Sequence, residues 1–112
     1  MINLDMVGRL NEKKELSVFG AGTSSIFRQV LNSLNGSFNL NIINDGTGPS
    51  DHTSFYNKDL PVLFFHTGSH ENYHRPSDDV ELINYEGIHE ISNYIVNVIA
   101  EIETYGKLDF KE

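Results

Sequence analysis

Cysteine is absent from these 112 residues, which excludes disulfides and thiolate metal sites. Any metal site must then be built from His, Asp and Glu, a donor set that suits zinc, or manganese and its relatives. Basic residues are scarce: eight Lys and Arg stand against 16 Asp and Glu, a formal charge of −8. That average field repels a polyanion, so nucleic acid and anionic membranes are poor partners. No apolar run approaches the roughly 18–20 residues of a membrane span. The opening "MINLDMVGRL" has no basic leader before an apolar stretch, so no signal peptide is visible and no compartment is named. No internal repeat, low-complexity tract or linker divides the chain.

What remains is ordinary globular material. Hydrophobic residues make up 38% and charged residues 21%, and the length suits one core rather than two. In "MINLDM", Ile2, Leu4 and Met6 alternate with Asn3 and Asp5, which predicts a strand ended by Gly8. "ELSVFGAG" reads as a second strand running into a glycine-rich turn. Thr23 and Ser24 are good N-cap residues for a helix over "SIFRQVLNSL", with Ile26, Val30 and Leu34 on one face and Gly36 closing it. "FNLNII" alternates as a third strand, and "NDGTGPS" is turn chemistry. Ser50 is placed to cap a short helix, "DHTSFYNK". The near-continuous apolar run "PVLFFHT" predicts a strand covered on both faces. Ile88, Ile91, Ile95, Val98 and Ile102 predict a helix of about 19 residues starting near Asn84. Strand and helix periods alternate throughout, so the class is α/β with a mixed, mainly parallel sheet.

Open α/β sheets bind ligands beyond the carboxyl ends of their strands. Asp5 ends the first strand, Asp51 and His52 follow the turn after the third, and Tyr73 and His74 follow "PVLFFHT". These groups could converge on one rim. Each also has a plainer reading. Asp5 could face solvent on an edge strand, and Asp51 could favour a helix's first turn through the macrodipole. Tyr73 could anchor a loop by its ring and hydroxyl. His66 reads better as a satisfied, half-buried imidazole than as a ligand. His70 and His74 are four apart, but Gly68 and Pro76 argue against a helix between them, so the pair is a weak metal motif. His89 falls on a polar helix face.

Three stretches, taken jointly and in order, carry more information: "NLDMVGRL", "GTSSIF" and "GPSDHTSFYNKDLPVLFFHTGSHENYHRPSDDVELIN". Together they closely resemble the C-terminal part of zinc aminopeptidases of the bacterial leucyl-aminopeptidase type. That superfamily also holds glutaminyl cyclases and the non-catalytic transferrin-receptor ectodomain. The resemblance implies a three-layer zinc-exopeptidase fold, truncated at the N-terminus. It also implies a peptide substrate and, in the full-length parent, two zinc ions about 3.5 Å apart. It places Asp5 on one zinc and His74 on the other, with the Tyr73 hydroxyl steadying the oxyanion. Asp51 and His52 would orient the groups that touch metal. The compartments it allows are periplasmic or secreted.

The His-x-Asp and Glu-Glu motifs of that family, which supply further ligands, the bridging aspartate and the general base, do not occur here. The chain therefore reads as the C-terminal portion of a longer peptidase domain. One ligand per zinc cannot complete a tetrahedral site, and without the glutamate of that missing pair no base activates the metal-bound water. The expectation is an aminopeptidase parent, with this portion inactive, holding metal incompletely or not at all, and associating as a homodimer through uncovered strand edges. A non-catalytic α/β module, a receptor-like relative and a single-zinc glutaminyl cyclase remain the alternatives.

Overall fold

The computed structural model describes residues 1–68 and 82–112. Four strands form one sheet in the order β1-β4-β2-β3: β1 (Ile2–Leu4), β2 (Glu15–Phe19), β3 (Asn39–Ile43) and β4 (Leu63–His66). β1 pairs with β4 and β2 with β3 in parallel, whereas β2 and β4 run antiparallel. The sheet is thus mixed and mostly parallel, as the alternating periods imply. The carboxyl ends of β1 and β4 share one rim, and those of β2 and β3 the opposite rim.

The apolar run at β4 is explained by its central position. Val62, Leu63, Phe64 and Phe65 are all buried, because neighbouring strands flank them and both sheet faces are covered. Toward one face, Leu16, Val18, Leu63 and Phe65 pack with α1 (Phe27–Leu34) and α3 (Tyr85–Glu103) in a single core cluster. Ile91, Tyr94, Ile95 and Val98 supply the helical stripe. The Tyr94 ring meets Phe65 edge-on, and its hydroxyl donates to the Leu31 carbonyl at 2.7 Å, joining α3 to α1. Burial raises the pKa of that phenol, so it stays a donor. Among the described residues, the other face carries α2 (His52–Tyr56) with the loop before it. The result is three layers of unequal thickness.

Several local expectations are corrected. Thr23 and Ser24 do not cap α1; Ile26 holds the cap position, without a side-chain bond. Tertiary partners claim both hydroxyls. Thr23 Oγ1 donates to the Gly20 carbonyl at 2.7 Å and accepts from Val62 N–H at 3.0 Å. Ser24 and Ser25 donate to the distant Asp109 carboxylate, which Ser25 N–H also reaches. Asn35 rather than Gly36 ends α1, its side chain bonding both backbone groups of Phe38. Leu4, expected on an apolar face, is 44% exposed because β1 is a sheet edge. α3 starts where expected, with Asn84 at its cap position and the Asn84 side chain accepting from Gly87 N–H.

Gly20 is where glycine is obligatory. It turns the chain out of β2 at φ +89°, and a β-carbon there would lie 2.2 Å from the Val62 carbonyl oxygen.

Candidate functional site

β1 delivers Asp5 to the rim, with its backbone N–H still bonded to Phe65 O at 3.3 Å. Met6 then takes φ +59°, a left-handed conformation that non-glycine residues rarely adopt. Thr67 holds it there, its N–H and hydroxyl both donating to the Met6 carbonyl. The bend leaves Asp5 and Met6 on the wall of a cleft of about 270 Å³, lined also by Ser17, Phe19, Pro49, Phe64 and His66. Cross-strand register explains this company. Ser17 sits opposite His66 and Phe19 opposite Phe64, all on the sheet face away from α1 and α3.

The loop after β3 does not stay at its own strand end, on the opposite rim. It runs back across the sheet face, and the Ser50 hydroxyl donates to Asp5 Oδ2 at 2.7 Å. Ser50 therefore caps nothing: Asp51 occupies the α2 cap position, without a side-chain bond, and is exposed. His52 is fully buried, stacked on Phe64 with ring centroids 4.5 Å apart. Its Nδ1 lies 3.5 Å from the Asn3 amide nitrogen, and that amide also donates to Ser50 Oγ at 2.8 Å. Burial lowers the His52 pKa below that of a free imidazole; the Asp45 carboxylate, the Thr47 backbone, Asp5 and Asp51 oppose the shift.

His66, on the same wall as Asp5, is half-buried. Gly68 N–H donates to its Nδ1 at 2.8 Å, so the neutral ring carries its proton on Nε2. Burial also lowers its pKa, with Asp5 acting against that. His89 lies exposed on the polar face of α3 beside Asn93. Tyr73, His74 and His70 lie outside the described residues. Of the residues singled out in the sequence, Asp5 and His52 are thus linked through Ser50 and Asn3, while Asp51 beside them is exposed and makes no side-chain cap bond.

Ser50 and Asn3 were missed as members of this group. Ser50 stands beside Asp51 and His52 but reads locally as a helix cap. Asn3 interrupts an apolar strand, which was the available signal.

Among the described residues no three His, Asp or Glu side chains gather closely enough to hold a metal ion, and no helix is long and apolar enough to cross a membrane. The Asp5 carboxylate suits a hard or borderline cation: it is exposed at a strand end, and its orientation is held from behind by a neutral hydroxyl.

The fold is an open, mixed α/β sheet whose cleft runs along one face to the carboxyl ends of the parallel strands β1 and β4, the rim at which sheets of this class bind ligands. Residues 1–99 match the model of Peptidase family M28, and the chain belongs to that family. Among solved structures it is similar to the Legionella pneumophila LapA aminopeptidase. The TM-score is 0.70 at 26% identity, over 89% of this chain and 29% of that one. A second crystal structure of Legionella LapA gives 0.68 at 25% identity, over 90% and 31% respectively. The chain thus spans about a third of the length of these structures. No match was found among curated proteins.

Proposed function

We propose that the chain carries one side of a zinc aminopeptidase site, which releases N-terminal residues from peptides. The observation that carries this reading is Asp5. Within a family M28 sheet it stands on the cleft wall at the carboxyl end of β1, its carboxylate held by Ser50. The similarity to the LapA aminopeptidase supports N-terminal peptide hydrolysis in particular. Asp5 and His74 would hold one each of two zinc ions, which when bound polarise the scissile carbonyl and lower the pKa of water. Ser50 keeps the Asp5 carboxylate oriented. His52 packs behind it as a neutral ring, and the Tyr73 hydroxyl donates to the developing oxyanion. Residues outside this chain supply the remaining ligands and the general base.

The test is zinc-dependent hydrolysis of amino-acyl chromogenic amides by these 112 residues, alone and joined to a segment bearing His-x-Asp and Glu-Glu. The 112 residues alone are expected to be inactive and to bind zinc weakly or not at all. The joined protein should turn over, lose activity with Asp5→Ala or His74→Ala, and slow about 10²-fold or more with Tyr73→Phe while keeping its metal. Activity of the 112 residues alone would refute the incomplete-site account, and failure of the joined protein would refute the peptidase reading.

The exposed edge of β1 further supports a homodimer that pairs or swaps elements there. Light scattering at low micromolar concentration tests it, and a stable monomer would refute it.

A further inference from the structure

Asn3 is a buried polar side chain on a three-residue edge strand. Such a group is costly to bury unless its hydrogen bonds are met, and here they meet a particular set of partners. Its amide nitrogen lies 2.8 Å from Ser50 Oγ, which in turn lies 2.7 Å from Asp5 Oδ2. The direction of every proton in this chain follows from chemistry. An ionised carboxylate only accepts, so the serine hydroxyl must give its proton to Asp5. Only lone pairs then face Asn3, which must present N–H to them; a carbonyl there would set oxygen against oxygen. The second amide hydrogen is available to His52 Nδ1, at the longer distance of 3.5 Å. That nitrogen keeps its lone pair and the buried ring stays neutral. Donation runs outward from one amide, to Ser50 and on to the carboxylate, and more loosely to the histidine.

We infer that Asn3 is a positioning residue for Asp5: its amide sets the direction of the Ser50 proton and so holds the Asp5 carboxylate as the cleft presents it. The geometry of this relay is independent of any metal. Its functional consequence rests on Asp5 being a ligand, as proposed above. The outer bond, from hydroxyl to carboxylate, is charge-assisted and the stronger one. The inner bond decides which way the hydroxyl points.

Asn3→Asp tests this with almost no change in shape. A carboxylate at position 3 accepts where the amide donated, and so competes with Asp5 for the serine proton. Asn3→Leu removes the donor without reversing it. The measurement is the carboxyl ¹³C resonance of Asp5 in the 112-residue chain carrying labelled aspartate, with thermal unfolding recorded alongside. Wild type is compared with Asn3→Asp, Asn3→Leu, Ser50→Ala and the two double variants. Asn3→Asp should reproduce most of the Ser50→Ala shift, and Asn3→Leu should give a smaller shift in the same direction. Both should lose most of their effect when Ser50 is already alanine, as coupled positions do. Shifts that add independently of Ser50, or an Asp5 signal blind to position 3, would overturn the inference. If Asn3→Asp fails to fold, the leucine pair applies the same criterion. Zinc sulfate added to the wild-type segment joined to His-x-Asp and Glu-Glu separates the two readings. An Asp5 signal unmoved by zinc there counts against the ligand assignment, while the coupling to Asn3 is judged without metal.

Discussion

The two faces of the sheet come from the same strands and are put to different uses. Alternation sends Leu63 and Phe65 of β4 toward α1 and α3, and Phe64 and His66 toward α2. The first face is closed: Leu16, Val18, Leu63 and Phe65 are without measurable exposure. The second is covered, among the described residues, by a five-residue helix and its leading loop, and it keeps the cleft with Asp5, Ser17 and His66. On the closed face apolar area is removed from water, and the Tyr94 hydroxyl buried there is met by the Leu31 carbonyl. On the open face the buried polar groups Asn3 and His52 persist through their contacts with each other and, for Asn3, with Ser50. Stability and chemistry are thus separated by one pleat.

Substitutions on the closed face should cost the most. Phe65→Ala removes a fully buried ring and is expected to lower stability by about 3–5 kcal/mol in urea unfolding. A loss near 1 kcal/mol would mean that this face does not dominate the core. Tyr94→Phe keeps the ring but strands the buried Leu31 carbonyl, with an expected loss of about 1–2 kcal/mol.

The open face should answer to pH instead. His52 has a folded-state pKa below the free value of 6.5 because it is buried, so the unfolded chain takes up its proton first as pH falls. Stability should be level with respect to this group above about pH 6.5 and decline below it. His52→Gln should remove that part of the decline, which equilibrium unfolding at pH 5, 6 and 7.5 would reveal. An unchanged slope would mean that the ring is hydrated. Asp5→Ala should show the smallest effect on folding, within roughly 0.5 kcal/mol, as for an exposed side chain. That neutrality, beside the loss of turnover expected in the joined enzyme, would be the sharpest separation of the two faces. A large stability loss would make Asp5 a structural residue.

The elements themselves were legible. Apolar patterning located six of the seven elements among the described residues, including a 19-residue α3 starting near Asn84, because apolar spacing reports directly which side of an element is buried; the short α2 was placed by its neighbouring turn. The central place of β4 was also readable, since a strand flanked by neighbours and covered on both faces has no solvent side to fill with polar residues. Capping was less legible. Thr23, Ser24 and Ser50 are each competent caps, yet each spends its hydroxyl on a residue at least 39 positions away: Val62, Asp109 and Asp5. A local preference of about 1 kcal/mol yields when a buried backbone group or a carboxylate offers a comparable bond.

The candidate site divides along the same line. Asp5 could be named from its own strand and motif, because a carboxylate at the carboxyl end of a parallel strand is a local feature. That the loop after β3 would return across the sheet, bringing Ser50 to Asp5 and burying His52 on Phe64, had no local signature. Nor did the service of Asn3 as a donor rather than as a flaw in an apolar strand. Residue types and their periods determined which segments are strands and helices and which side of each is apolar. Only the tertiary structure decided which polar groups meet, because the hydrogen bonds joining residues 3, 5 and 50 depend on the antiparallel pairing of β2 with β4 and the path of a loop, and neither is written in the spacing of the chain.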